Sequence, residues 1–314
     1  MDTVRGLLVD AFTTDPYSGN PAGVVPSADG LDDAQMQAIA NELGASETAF
    51  VSDAADAEIR LRYFTPSTEV DLCGHATIAS LHLLAEDGRF APGEHTIETN
   101  VGVLDVRVSD DDVVWMTQSA PTVEPVEYEV ARVSDALGVP GAAIDEVADD
   151  LPIAVASTGL PFLVVPIAFL EPLGDAIPDF DAIEELADDF GAAGVYPFTF
   201  DTLDADATLH GRAFVPGAGV LEDPVTGTAS GAAGAYLDHV GALDGGGTAP
   251  GSSDVHVDAS APDEMVFEQG AFVDRPGRVH VRVDESVQVG GAAVTVFDGT
   301  LAVPPAGDDD IVEV

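Results

Sequence analysis

The feature that most constrains the fold of this chain is a repeat between its two halves. The segment RYFTPSTEVDLCGHAT in the first half matches RAFVPGAGVLEDPVTGTA in the second. Each contains an Arg, an aromatic residue, a Pro, a loop with an Asp, and a Gly that begins a helix. A shorter pair, GNPAGVV and TGLPFLVV, precedes them in the same order. Because such a repeat is one structural unit used twice, the sequence predicts an enzyme with two similar α/β lobes that face each other across a cleft.

Local patterns support this organisation. Apolar spacing and glycine stops predict helices separated by strands. The predicted helices cover residues 31–44, 75–88, 130–137, 181–190 and 228–241. The proline-containing segment APTVEPVEYE is the expected domain boundary. We therefore expect an N-terminal lobe over residues 1–121 and a C-terminal lobe over residues 122–314, with the last strands free to return to the first lobe.

Charge restricts the partners of the chain. Its 10 basic residues, all of them Arg, stand against 57 acidic residues, for a net charge of −47. Such a chain cannot neutralise phosphates, which excludes nucleic acid and anionic membrane surfaces as partners. Hydrophobic residues make up 46% of the chain, which is enough for a packed core. The acidity and the lack of Lys predict a halophilic source, since molar salt screens repulsion between like charges.

Other features predict a soluble cytoplasmic protein. No apolar run approaches the roughly 20 residues that span a bilayer, and the first residues, MDTVRGLLVDAF, do not resemble a signal peptide. A single Cys excludes a disulfide framework within the chain and favours a reducing compartment.

Several familiar catalytic and cofactor motifs do not occur. The sequence contains no GxSxG, GxGxxG, CxxC or HExxH, and its glycine run at 245–247 has no basic residue nearby. Histidines with metal-ligand spacing are also missing. We therefore expect no metal.

The two helix openings are the strongest candidates for ligand binding. One begins at Gly74 and the other at Gly227, in the same position of the two halves. The first turn of a helix presents unpaired backbone N–H groups and a partial positive charge, which suit a carboxylate. Two facing openings would hold a substrate carboxylate, or the enolate-like charge that develops when a proton is removed.

Candidate proton carriers lie near these openings, and each also has a simpler interpretation. Glu47, in the apolar context GASETAFV, is a general acid/base if buried or an ordinary turn carboxylate if not. His75 is a structural residue or a substrate orienter and proton relay. Asp223 binds substrate or only caps its loop. Cys73 is a nucleophile or base near a helix N-terminus, or a core residue.

Taken together, five segments of the chain resemble the phenazine-biosynthesis isomerases, or PhzF-like proteins, of the diaminopimelate-epimerase fold. They are DAFTTDPYSGNPAGVV, NELGASETAFV, RYFTPSTEVDLCGHATIAS, STGLPFLVV and EDPVTGTASG. The resemblance implies an α+β fold with two pseudo-symmetric lobes, each a β-barrel-like sheet around a central helix, and an active site between the lobes. It also implies a homodimer and an isomerase that needs neither cofactor nor metal.

The resemblance also implies roles for individual residues. Glu47 matches the acid/base that takes a proton from one carbon of a small substrate and returns it to another. His75 and Asp223 match flanking residues that bind and polarise the substrate. Thr228 stands where the phenazine enzyme has Ser, which keeps the hydroxyl and adds a methyl group. The implied substrate-binding residues are Asn20, Ser46, Gly74, Gly227 and Thr228.

Two alternatives stay open. Related epimerases and racemases use two cysteines, one before each helix-opening Gly; here Cys73 fills the first place and Thr226 the second. Because the chain has one Cys, a two-thiol epimerase is excluded. A Cys/Thr pair, however, resembles the arrangement in hydroxyproline dehydratases. The first alternative is therefore a dehydratase or epimerase that acts on an amino acid or hydroxyamino acid. The second alternative is a small-molecule binding protein that has kept the cleft without catalysis.

Overall fold

The computed structural model describes residues 2–147, 150–243 and 263–306. The glycine run at 245–247 lies outside these ranges. The described residues form two compact units. One comprises the residues up to Met116 and those from Gly290 onward, and the other runs from Thr117 to Val289. In the described ranges, no helix is long and apolar enough to cross a membrane.

The first unit consists of strands and two helices. Its elements are β1 (Thr3–Ala11), β2 (Asn20–Val25), α1 (Asp33–Leu43), β3 (Glu47–Ser52), β4 (Ile59–Phe64), β5 (Glu69–Val70), α2 (Gly74–Glu86), β6 (Gly93–Thr99), β7 (Gly102–Val108) and β8 (Val114–Thr117). The second unit contributes β9 (Thr122–Pro125), α3 (Val130–Leu137), α4 (Gly141–Asp145), β10 (Ala154–Ser157), β11 (Pro161–Pro166), α5 (Leu170–Gly174), α6 (Phe180–Asp189), β12 (Gly194–Thr199), β13 (Leu209–Gly211), β14 (Ala213–Val215), β15 (Val220–Asp223), α7 (Gly227–His239), β16 (Met265–Gln269), β17 (Gly277–Val283) and β18 (Val287–Gly291). The chain then returns to the first unit with β19 (Ala293–Ala302).

The sheet of the first unit is mixed. Its strands pair in the order β19, β1, β2, β3, β4, β6, β7 and β8. The pairs β2–β3 and β4–β6 are parallel, and the others are antiparallel. Helix α2 contacts β1, β2, β3, β7 and β19. It is buried at every residue from Ala76 to Leu84, as expected of a helix enclosed by a sheet rather than lying on its surface.

The second unit repeats this pattern. Its sheet runs β9, β10, β11, β12, β13, β16 and β17, and among these described pairs β11–β12 and β13–β16 are parallel. In each unit, the connection between one pair of parallel strands contains the surface helices: α1 between β2 and β3, and α5 and α6 between β11 and β12. The connection between the other parallel pair contains a short hairpin followed by the buried helix. Helix α7 contacts β9, β10, β11 and β17 and is buried along almost its whole length. The structure therefore confirms the predicted repeat and α+β class.

The predicted helices also agree with the observed ones to within a few residues. Helix α1 begins after Asp32, whose side chain forms a reciprocal capping box with Gln35, and ends at Gly44 in a left-handed conformation (φ 66°). Two segments predicted as loops each contain a short strand instead, β5 and β15, that pairs back on the preceding strand. Strands of two and four residues are too short to show an alternating pattern.

Candidate active site

In the first unit the candidate site lies at the start of α2. Cys73 is the N-cap residue, and its side chain makes no capping hydrogen bond to the helix. The first turn contains no acidic residue, although α1 and α6 each place an Asp there. A methyl group added at Gly74 would meet nothing within 4 Å. A side chain at Gly74 would therefore clash with nothing outside its chain neighbours, and no acidic side chain of the first turn neutralises the positive end of this helix.

A buried chain of hydrogen bonds fixes the backbone where α2 begins. The Thr77 hydroxyl donates to the carbonyl of Cys73 at 2.7 Å and lies 2.6 Å from the Tyr63 hydroxyl. Burial raises the pKa of Tyr63 far above its usual range, so its hydroxyl stays protonated and donates to Thr77. The backbone at Cys73 is thereby fixed to β4.

Four side chains that can carry a proton or form hydrogen bonds meet at this opening. Strand β3 begins at Glu47, and Glu47 Oε2 lies 3.3 Å from His75 Nε2. Cys73 Sγ lies 3.5 Å from His75 Nδ1, and Ser46 Oγ lies 3.4 Å from His75 Nε2. The fold thus brings together the predicted residues Ser46, Glu47, Cys73 and His75, which are separated by up to 29 residues in the chain.

Exposure differs among these side chains. Glu47 keeps 24% of its side chain accessible and His75 keeps 12%, whereas Cys73 is 8% exposed as a residue. Glu47 is therefore the most accessible of the three, and the His75 imidazole lies within 3.5 Å of both its carboxylate and the Cys73 thiol. The predicted residue Asn20 is the first residue of β2; it is buried and pairs with Ala11.

In the second unit a different cluster lies before α7. Thr226 is the N-cap residue of this helix, but its hydroxyl donates to Asp223 Oδ2 at 2.5 Å and not to the helix. Gly227 is buried, and Thr228 is partly exposed, with its carbonyl 3.5 Å from the Thr158 hydroxyl. As in α2, the first turn contains no acidic residue. The predicted residues Asp223, Thr226 and Gly227 thus lie together at this opening.

Sequence reasoning missed Gln269, the buried last residue of β16. Its amide nitrogen donates to the carbonyl of Asp223 at 2.8 Å and to Thr226 Oγ1 at 3.1 Å, and its amide oxygen accepts from Thr226 N at 3.2 Å. Gln269 therefore clamps the turn that leads into α7. Nothing in the sequence marks it, since it lies 43 residues from Thr226 outside every motif considered.

Comparison with known proteins identifies the family of this chain. The model of the family described as phenazine biosynthesis-like protein, PhzC-PhzF, matches residues 9–299. The chain belongs to this family. It is 37% identical over 308 residues to Uncharacterized isomerase YfhB of Bacillus subtilis, covering 96% of this chain and 98% of that protein. It is 35% identical to Uncharacterized isomerase YddE of Escherichia coli K12, covering 94% and 97% of the two chains.

Solved structures show the same relationship. The PhzF-family phenazine biosynthesis protein of Bacillus anthracis superposes with a TM-score of 0.82 at 33% identity, covering 96% of this chain and all of that one. A protein of Agrobacterium radiobacter K84 described as a probable proline racemase, at 14% identity and a TM-score of 0.58, shares the fold alone. The chain is therefore a PhzF-like enzyme of the isomerase class with a diaminopimelate-epimerase-like fold.

Proposed function

We propose that this PhzF-like enzyme is a cofactor-independent isomerase that moves a proton between two carbons of a small carboxylate substrate. Glu47 is the single base. The observation that carries the proposal is the position of Glu47: its carboxylate is partly exposed, lies 3.3 Å from the His75 imidazole, and stands beside a helix opening without acidic residues. A base within hydrogen-bond distance of a relay and an anion-binding helix end are the parts that proton abstraction requires.

The reaction follows from these parts. The Glu47 carboxylate takes a proton from one carbon of the substrate, and the electron pair left behind shifts toward the substrate's conjugated or carboxylate group. The unpaired N–H groups of the first turn of α2 stabilise that negative charge. Glu47 then returns the proton to a second carbon on the same face. No atom or electron is gained or lost, so the reaction needs no co-reactant.

The remaining predicted residues support binding in this proposal. His75 orients the Glu47 carboxylate and polarises the substrate. In the second unit, Asp223 and the opening at Gly227 and Thr228 bind polar groups of the substrate, and the contacts of Asp223 with Thr226 support this role because they fix its carboxylate. Asn20 and Ser46 complete the set that the family resemblance implies.

One observation favours a second candidate function. The Cys73 thiol lies 3.5 Å from His75 Nδ1, an arrangement that can activate a thiol as a base. In that case Cys73, with Thr226 in the matching position of the second unit, eliminates water from a hydroxyamino acid or epimerises an amino acid, and Glu47 has a secondary role.

Proton NMR in D₂O at molar KCl separates the two candidates by their products. The protein is incubated with dihydro-hydroxyanthranilate and with a panel of amino acids and hydroxyamino acids. The proposal expects migration of a double bond, with or without entry of deuterium at the new C–H position. Loss of water from a hydroxyamino acid would establish the dehydratase instead. Binding of a panel member without any turnover would support a non-catalytic binding protein.

We also propose that the enzyme acts in the cytoplasm as a homodimer, as the family resemblance implies. Light scattering during size-exclusion chromatography at molar KCl should give twice the 32.2 kDa mass of the chain. A mass of a single chain at micromolar concentration would contradict the dimer.

A further inference from the structure

Glu47, Cys73 and His75 have a second chemical property besides proton transfer. In the described ranges, they form the only group of three or more His, Cys, Asp or Glu side chains placed to hold one metal ion. One carboxylate oxygen, one thiol sulfur and one imidazole nitrogen all lie within 4.8 Å of one another. The sequence shows no metal motif because the fold, not the spacing along the chain, adds Glu47 to the Cys73-Gly74-His75 segment.

The distances fit a tetrahedral ion of the size of zinc. Bonds of about 2.3 Å to sulfur and about 2.0–2.2 Å to nitrogen or oxygen place neighbouring ligand atoms roughly 3.3–3.6 Å apart. Here His75 Nε2 lies 3.3 Å from Glu47 Oε2 and 3.9 Å from Cys73 Sγ. The third pair, Cys73 Sγ and a Glu47 carboxylate oxygen, lies within 4.8 Å, so the sulfur and the carboxylate must approach each other by up to about 1.3 Å for tetrahedral binding.

The site also has room for a fourth ligand. Glu47 keeps 24% of its side chain accessible and His75 keeps 12%, so water can reach these two ligands. Three protein ligands with one open position are typical of zinc sites that bind water or a substrate oxygen.

The sulfur ligand determines which cation is selected. The chain has 57 acidic residues, so hard cations such as Mg²⁺ and Ca²⁺ meet many competing carboxylates. Thiolate ligands instead select zinc and similar soft ions, and Cys73 is the only thiol of the chain. Among the described residues, a soft divalent cation therefore has one preferred site.

We propose that Glu47, Cys73 and His75 bind one Zn²⁺ ion per chain and that this ion inhibits the enzyme. The bound cation occupies the Glu47 carboxylate and so prevents it from taking a proton. The inhibition rests on the proposed role of Glu47 in catalysis, whereas the binding does not.

Cobalt provides a direct test of the binding, because Co²⁺ enters zinc sites and reports its ligands through its absorption spectrum. The full-length protein, stripped of metal with a chelator, is titrated with Co²⁺ in molar KCl and then with Zn²⁺. We expect one Co²⁺ per chain, with intense visible bands of a tetrahedral ion and a near-ultraviolet thiolate-to-cobalt band. Zn²⁺ should then displace the Co²⁺ and bleach both features.

Variants assign the ligands. Cys73→Ser should abolish the thiolate band, and Glu47→Gln should weaken Zn²⁺ binding by more than about 100-fold, the upper range for loss of a supporting second-shell partner. Glu58→Gln is the matched control, because Glu58 also contacts a histidine, His95, at 3.0 Å without a cysteine nearby. It should bind both metals like the wild type.

Two results would overturn the proposal. One is a Co²⁺ spectrum without a thiolate band, and the other is a titration that Cys73→Ser leaves unchanged. Isomerase activity of the chelator-treated enzyme is measured separately in the absence of added metal, so failure of the metal site and failure of the isomerase proposal are distinguishable. If activity is present and Zn²⁺ binds at one equivalent without reducing it, the inhibitory role is wrong although the site exists.

Discussion

The two buried helices begin in the same place of two matching folds, yet their surroundings differ. At α2, Glu47, Cys73 and His75 contact one another through side chains that can each carry a proton. At α7, the corresponding turn is fixed by neutral donors: Gln269 and Thr226 hold the turn and the Asp223 carboxylate with four hydrogen bonds of 2.5–3.2 Å.

This difference suggests a division of labour between two copies of one fold. A base must gain and lose a proton during turnover, so its neighbours must tolerate both states. A binding group works best when its position is fixed before the substrate arrives. Under the proposed function, the cluster at α2 suits proton transfer, and the fixed turn before α7 suits binding.

The largest expected effect concerns a property that both units share. The 57 acidic residues outnumber the 10 basic ones, and several of the basic ones are already in ion pairs, as Arg5 is with Asp87 and Asp298, so most acidic side chains cannot have a basic partner. At 1 M salt the screening length is about 3 Å, and at 0.01 M it is about 30 Å. Removing salt should therefore unfold the protein, as a halophilic origin predicts.

The salt experiment can also compare the units. Trp115, the only Trp of the chain, is buried in the first unit, so its fluorescence reports that unit, whereas far-ultraviolet circular dichroism reports both. Coincident transitions would show that the units unfold together, and separate transitions would show which is weaker. Full structure in salt-free buffer would contradict the halophilic interpretation.

The next effect tests the rigidity of the second unit. Gln269→Ala removes three hydrogen bonds and leaves the backbone groups of Asp223 and Thr226 without them, which should lower the free energy of unfolding by about 1–3 kcal/mol. Chemical denaturation at molar KCl measures the change. Gln37→Ala, which removes a single hydrogen bond to the Thr65 carbonyl, is the control and should cost less than about 1 kcal/mol.

If Gln269→Ala lowers the free energy of unfolding no more than Gln37→Ala does, the hydrogen bonds of Gln269 do not hold the turn before α7. The contrast between the two helix openings then disappears. A change in KM larger than the change in kcat would support the proposed binding role of this turn.

The smallest effect is expected at Cys73. If Glu47 is the only base, Cys73→Ala should reduce kcat by less than about tenfold, equivalent to about 1.4 kcal/mol. The assay is run with a chelator so that metal binding does not contribute. If kcat falls as much as expected for loss of the base, the Cys73 thiol and not Glu47 is the base.

Much of the fold was predictable because it is encoded locally and twice. Periodic apolar residues and glycine stops predicted the longer helices, and the repeat predicted the two matching units. Helices α4 and α5, of five residues each, escaped prediction because they are too short to show a helical period.

The site was predictable only where short motifs mark it. Cys73, Gly74 and His75 are adjacent, and Glu47 belongs to the SET motif, so the first cluster could be proposed from the sequence. Gln269 could not, because its function depends on β16 lying beside a turn 43 residues away. The distances that make Glu47, Cys73 and His75 a potential metal site likewise required the folded chain.

The most direct test of the central claim compares kcat of Glu47→Gln and Cys73→Ala on the substrate that the NMR panel identifies. Gln keeps the shape of Glu47 but cannot accept the proton, so kcat should fall by about 10²–10⁴ while circular dichroism stays unchanged. Cys73→Ala should stay within about tenfold of the wild type. Full activity of Glu47→Gln together with an inactive, folded Cys73→Ala would contradict the account.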